Sequence, residues 1–299
     1  GIANPLNGAQ TVHDGVLSVD DISDYSKFLD EICECCEANA IALEAISSES
    51  GMSQFEINLK HTEDVLKLAD GLVFLKNIIR LISRKNGFAA TFMAKPFAFR
   101  PGNGIHAHFS LLDENKRNVF DNGTETGSDN MLSSVGGLLA HMRQSALIFA
   151  PHLNSFRRLS PKQHAPLNFT WGYENRTAAI RIPGGKYSSR RIEHRVAGAD
   201  TNIYLVLAAI LGAALDGLLH GTRPPQPVLG DCSYSDIGQE DALPATWFEA
   251  ISSFEQGDLI GGALNSVIRD MLIRTKRQEL LTFAHDVSSF EYETYLETV

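Results

Sequence analysis

Cysteine is scarce in this sequence: Cys33, Cys35, Cys36 and Cys232 are the only four, too few for a disulfide framework. Three of them crowd one short segment, but no second ligand cluster follows at zinc-like spacing, so they read as reduced thiols on a helix. Reduced thiols point to a cytoplasmic protein. Positive charge is also in deficit, with 26 Lys and Arg against 36 Asp and Glu and a net charge of −10. Such a surface repels polyanions, so no nucleic-acid partner is expected, while a small anion held by a few arginines and a metal stays open. Long apolar runs are nearly missing. The longest, residues 203–219, contains Gly212 and Asp216 and falls short of the roughly 20 apolar residues of a membrane span, so it reads as a buried helix with no membrane partner. No basic segment followed by an apolar one opens the chain, and no repeat or low-complexity tract interrupts it.

What is present is ordinary globular material. The 299 residues suffice to bury a full core, and the opening residue is Gly1 rather than Met, which suggests a piece of a longer polypeptide. Asp20 or Asp21 is placed to cap a helix running to Asn39, with Ile22, Phe28, Leu29 and Ile32 on one face. Residues 41–45 and 55–59 alternate on either side of Ser50-Gly51-Met52-Ser53, predicting a hairpin. Thr62 and Gly87 bracket a helix with a clear 3.6-residue apolar period. Strands are predicted over 89–93 and 105–112, then a helix from Asp129 to Ala150 closed by Pro151. A polar loop over 154–165 precedes short strands near 167–170, 178–182 and 192–196, and the remainder is mostly helical, ending in 271–285 and 290–297. Strands at the front and middle, with helices between and after, make this an α+β chain of one domain, residues 1–299.

Side chains on a strand alternate faces, and that parity locates chemistry. Ile105, Ala107, Phe109 and Leu111 form an apolar face, leaving His106, His108 and Ser110 together on the other. Gly102 and Gly104 just before them, lacking a Cβ, suggest close approach of a ligand. On the second hairpin strand, Gln54, Glu56 and Asn58 face away from Phe55, Ile57 and Leu59, with Glu49 across the turn. Two such carboxylates suit a hard divalent cation, although taken alone they read more readily as a solvated sheet face. Arg191, Glu193 and Arg195 share one face of a third strand, and Arg157, Arg158, Arg176 and Arg181 lie upstream. Arginine forks recognise phosphate and carboxylate with paired bonds, so an anionic substrate is the natural partner. Divalent metal, histidines and arginines together are what phosphoryl transfer to a carboxylate requires.

Six strings, in order, carry a resemblance: Glu49-Ser-Gly-Met-Ser-Gln-Phe-Glu56, Thr91-Phe-Met-Ala-Lys-Pro96, Gly102-Asn-Gly-Ile-His-Ala-His-Phe-Ser110, Asn154-Ser-Phe-Arg-Arg-Leu159, Asn175-Arg-Thr-Ala-Ala-Ile-Arg-Ile-Pro183 and Arg191-Ile-Glu-His-Arg195. With them the chain resembles the glutamine synthetase family from about Ala38 to its end. The resemblance implies a curved, mainly antiparallel sheet packed by helices, and an ATP-dependent ligase using Mg or Mn. It implies Glu49 and Glu56 on one ion and His106 and Glu193 on the other. It implies His108, Ser110, Arg176, Arg181 and Arg191 at ATP with Glu44 beside them, and Gly102, Arg158 and Arg195 at glutamate. Arg158, His164, Arg176 and Arg195 would act in catalysis, forming γ-glutamyl phosphate that an amine then attacks.

Two departures shape the expected substrate. His164 stands six residues after Arg158, where the ammonia-using members of the family carry a flap glutamate, and Pro101 stands where they usually carry asparagine. Both changes are similar to the branch that joins glutamate to polyamines or other amines, such as putrescine. The family's acidic Glu-x-Glu strand and small N-terminal sheet domain are not found in residues 1–40, where Asp14, Asp20, Asp21 and Asp24 form no alternating strand. The domain is therefore expected to be N-terminally incomplete, weak by itself, and part of a ring-shaped homo-oligomer in its full-length form. Glutamine synthetase proper and a non-catalytic structural or regulatory relative remain as alternatives. A metal-dependent amidohydrolase would use His106 and His108, but His141 and His152 fall in helix or loop.

Overall fold

A computed structural model describes residues 16–159, 165–232, 242–257 and 262–299. His164 and Asp14 lie outside the described residues. The first predicted helix is two: α1 (Val19–Asp24), capped by Ser18 accepting from the Asp21 N–H at 3.2 Å, and α2 (Ser26–Ala38). Asp20 and Asp21 are not the cap but occupy the first turn, where their charge complements the helix dipole. The break falls at Tyr25, whose buried ring packs edge-on against Phe55 and Phe88 at 5.3 and 6.0 Å and whose hydroxyl meets Ser53 at 2.7 Å.

Strands β1 (Leu43–Ser48) and β2 (Phe55–Leu59) form the expected hairpin, antiparallel, with a bulge between Leu43 and Ala45. Helix α3 (Val65–Lys85) is capped by Asp64 rather than Thr62, the Asp64 carboxylate accepting from the Lys67 N–H at 3.0 Å. These elements close one apolar core around Leu29, Ile32, Leu75 and Ile79. Residues 89–93 are extended but join no ladder among the described residues, a correction to the expected strand. Alternation fixes which side chains share a face; it does not supply a neighbouring backbone.

The second sheet has the order β3-β6-β5-β4, built from β3 (Ala107–Phe109), β4 (Trp171–Tyr173), β5 (Ile180–Ile182) and β6 (Ile192–His194). All are shorter than predicted, and the β4 strand lies past the expected 167–170. Only the β4–β5 ladder is parallel. Register is what matters here: Glu193 on β6 faces His108 on β3 and Arg181 on β5.

The predicted helix 129–150 divides into α4 (Asp129–Ala140), capped by Ser128 rather than Asp129, and α5 (Met142–Phe149). His141 at the break bonds Asp216 at 2.8 Å, tying it to α7 (Ile203–His220). The expected polar loop begins with a short helix, α6 (Leu153–Arg158). Helices α8 (Trp247–Gln256), α9 (Ser266–His285) and α10 (Ser289–Tyr295) complete the described chain. Apolar α7 passes by length and composition as a membrane span, yet here it packs on α4 inside the main core with Val206, Ala209 and Ile210 buried.

That packing depends on glycine. A Cβ at Gly137 would sit 2.1 Å from the Ala213 carbonyl oxygen, and one at Gly217 would sit 2.2 Å from that of Ser133. Gly137→Ala should therefore lower the urea midpoint by an amount equal to about 1–3 kcal/mol, because overpacking outweighs the roughly 0.5–1 kcal/mol helix preference of Ala.

His194 lies on the apolar face of β6, 1% exposed, stacked on Phe149 at 4.4 Å, with neither ring nitrogen hydrogen-bonded among the described residues. Burial pushes its pKa down to about 3. An unfolded histidine titrates near 6.5, so below that pH the unfolded state holds an extra proton. The neutral-ring contribution is complete above about pH 6.5 and is lost as pH falls toward 3, at up to about 1.4 kcal/mol per pH unit. Urea unfolding of His194→Leu at pH 7 and pH 5 should show a shallower loss of stability than the parent.

Candidate active site

Glu193 is the centre of a cluster of two arginines and two histidines, and it is only 2% exposed. The β5–β6 register brings Arg181 to its Oε2 at 2.9 Å, and Arg195, two residues along the same strand face, donates to its Oε1 at 2.6 Å. His106 Nδ1, just before β3, lies 3.3 Å and His108 Nε2, on β3, lies 3.8 Å from Oε1. Burial alone would raise the Glu193 pKa, but Arg195, the two histidines and Arg181 outweigh it and hold the carboxyl below its ordinary range. His106 is pushed down to about 3, first by burial and then by Arg195, although 33% of its side chain still reaches solvent. It is therefore a neutral imidazole, the form that ligates metals or accepts protons.

Donors remain unspent. Arg181 Nε and Arg195 Nε are buried with no hydrogen-bond partner among the described residues. A buried donor without a partner costs on the order of 1–3 kcal/mol, a cost that a bound anion removes. Arg191 Nε donates to His108 Nδ1 at 3.2 Å, which brings a further cation to the edge of the cluster.

Glu49 and Glu56 meet on the hairpin face away from the core, as parity predicts. Burial, then a hydrogen bond with Glu56 and its charge, raise the Glu49 pKa against the Ser50 N–H and Arg176. Two touching carboxylates need a shared proton or a cation between them. That donor chemistry fits a hard divalent ion. Among the described residues, however, no group of three or more His, Cys, Asp or Glu side chains is arranged to hold one. Exposed Arg176 acts electrostatically on both Glu49 and Glu174, and Glu174 pairs with Arg181 at 3.3 Å, so a chain of charge links the two clusters.

Other predicted residues stand differently. Arg158 is 5% exposed and donates to the carbonyls of Val196 at 2.8 Å and Arg195 at 3.4 Å. A Cβ at Gly104 would lie 2.5 Å from an Arg158 guanidinium nitrogen, and one at Gly102 would lie 3.0 Å from Arg158 Cγ and 2.5 Å from the Ala94 carbonyl oxygen. These glycines make room for Arg158. Glu44 is exposed at the β1 bulge and Ser110 is exposed just past β3; neither has a contact with the Glu193 cluster among the described residues.

Sequence reasoning missed three supports. Gln54 donates to the Gly102 carbonyl at 3.0 Å and to Asn103 Oδ1 at 2.6 Å, joining the hairpin to the loop before β3. Strand parity could have found it, since it shares a face with Glu56. Glu174, at φ 51°, accepts from the Gly184 N–H. Asp200 accepts from Ser155 Oγ at 2.7 Å. A cleft of about 570 Å³ between α3, residues 90–93 and the start of α7 is lined by Lys76, Phe92, Asn154, Asp200 and Tyr204, not by Glu193.

The chain matches the family model for the glutamine synthetase catalytic domain over residues 2–295. It is 34% identical over 283 residues to γ-glutamylputrescine synthetase PuuA of Escherichia coli (strain K12), covering 94% of this chain and 59% of that protein. It is 34% identical over 287 residues to a glutamine synthetase of Pyrococcus abyssi (94% and 61% covered) and over 282 residues to a glutamate–isopropylamine ligase of Pseudomonas sp (93% and 61%). The chain thus spans about three-fifths of the length of these curated relatives. A solved structure described as a GmaS/ADP complex superposes with a TM-score of 0.87 at 28% identity, covering 99% of this chain and 70% of the other. The six strings, the α+β architecture and this agreement in sequence and shape lead to one conclusion: the chain belongs to the glutamine synthetase family.

Proposed function

We propose that the protein carrying this sequence is an ATP- and divalent-metal-dependent ligase that joins glutamate to an amine through γ-glutamyl phosphate. The observation that carries the reading is Glu193 bridged by Arg181 and Arg195, with His108 on the facing strand, His106 just before it and two arginine Nε groups unspent. Glu49 and Glu56 would hold one ion, His106 and Glu193 the other. Mg or Mn, when bound, supplies neutralising charge at the phosphates.

The chain's own residues have distinct tasks in this reading. Arg176, Arg181 and Arg191, with His108 and Ser110, hold the nucleotide phosphates, and Glu44 lies toward its outer part. Arg195 and Arg158 orient glutamate beside the Gly102 backbone. Charge that develops on the transferring phosphoryl group meets arginine donors already fixed by ion pairs, which lowers the reorganisation needed in the transition state. His164 takes the proton from the attacking amine.

The acceptor is an alkylamine or polyamine, with putrescine the first candidate. Pro101 and His164 remove the side chains that favour ammonium, and two relatives carry amine-ligase names. Ammonia is the alternative, supported by the glutamine synthetases among the relatives. The reading extends to a cytoplasmic ring-shaped homo-oligomer.

Glutamate-dependent ADP release should be faster with putrescine than with ammonium in the whole protein, and the reverse order would overturn the acceptor assignment. His164→Glu should raise the ammonium-to-putrescine rate ratio at saturating glutamate and ATP. An unchanged ratio would leave His164 without that role. Glu193→Gln should lower kcat by about 10²–10³-fold, the usual scale for one lost charge-stabilising group.

A further inference from the structure

We propose that Asp200 is a positioning residue for Arg158: by clamping Ser155 it fixes helix α6 and sets the guanidinium against strand β6. The inference rests on the reading that Arg158 serves glutamate. Helix α6 has six residues, too short to hold itself in water, so its placement depends on anchors outside it. Three are visible. Asn154 exchanges two hydrogen bonds with the Lys95 backbone, both 2.9 Å. Ser155 Oγ donates to Asp200 Oδ2 at 2.7 Å and also accepts from the His152 N–H at 3.1 Å. Arg158, one turn later, reaches the Val196 carbonyl.

Asp200 is itself held in a tight bend. The Gly198 N–H donates to the Phe149 carbonyl at 3.0 Å, Ala199 N–H to the Asn103 carbonyl at 3.1 Å, and Thr201 Oγ1 to the Gly198 carbonyl at 2.8 Å. Lys76 Nζ reaches the Ala199 carbonyl at 2.6 Å. Glycine at 198 leaves the Asp200 carboxylate its place; a Cβ there would lie 2.4 Å from Asp200 Oδ1 and force that side chain to shift. That oxygen is buried and has no hydrogen-bond partner among the described residues. Its charge is balanced instead by cations nearby. Burial lowers the Arg158 pKa to about 10, Asp200 works against that loss, and Arg195 adds to it. Asp200 acts in the same sense on Lys76. A buried guanidinium beside a second arginine needs such a counter-charge.

The test uses Asp200→Ala, Asp200→Asn, Ser155→Ala and Gly198→Ala in the whole protein, with steady-state kinetics and hydrogen exchange. A displaced positioning group costs on the order of 10–100-fold, so Asp200→Ala and Gly198→Ala should raise the KM for glutamate by about that factor while the KM for ATP stays within about twofold. Asp200→Asn keeps the acceptor for Ser155 and loses the charge; it should fall between the parent and Asp200→Ala. Amides of residues 153–158 should lose exchange protection in Ser155→Ala and Asp200→Ala. An unmoved glutamate KM in folded variants, or equal losses for glutamate and ATP, overturns the proposal. If the parent itself shows no glutamate-dependent ADP release, the functional reading fails, and unchanged exchange protection in α6 then overturns the positioning role separately.

Discussion

The register of β6 between β3 and β5 is the constraint on which the site depends. One residue of slip would turn Glu193 and Arg195 into the core and bring His194 out. The slip is resisted from both sides of the strand. On one face Ile192 and His194 are packed in the main core, and on the other Glu193 is bridged by two arginines. A buried carboxylate that lost either arginine would be left with uncompensated charge, so alternative pairings are expensive. The same pairs that hold the register also fix the direction of the Arg181 and Arg195 guanidinium groups.

The surrounding elements act on that arrangement from a distance. Gln54 ties the acidic hairpin to the loop before β3. Arg158 fills the space that Gly102 and Gly104 leave open and fastens α6 to the end of β6. The cleft over α3 and the start of α7 touches this scaffold through Asn154 and Asp200. The helices α4 and α7, pressed together at Gly137 and Gly217, belong to the same core as the sheet. Their close contact leaves that core little freedom to shift.

Much of the site was legible from period-two alternation. His106 and His108 on one face, Glu193 with Arg195, and Glu56 away from the core all follow from parity, which needs no knowledge of the partner strand. The order β3-β6-β5-β4 was not legible, because it depends on contacts between segments far apart in sequence. Residues 89–93 show the same limit: the pattern of a strand is there, but no ladder forms among the described residues. Helix breaks at Tyr25 and His141 were missed for a related reason. Neither residue is a helix breaker by propensity; each sits at a break because its side chain makes a tertiary contact, with Phe55 and Ser53 in one case and Asp216 in the other. Asp200 carries no periodic signature at all, and its role became visible only through Ser155 and Gly198.

The unspent Nε groups of Arg181 and Arg195 have a consequence for selection by size. They lie in a molecule whose overall charge is −10, so an approaching anion meets repulsion at long range and attraction only within the site. Salt damps the outer field over roughly 8–10 Å, whereas the buried donors are screened far less. An anion small enough to pass entirely inside exchanges one field for the other. A long polyanion keeps most of its charge outside and gains little. If these arginines serve the proposed anionic substrate, a net-acidic chain around them would favour small anions over long ones.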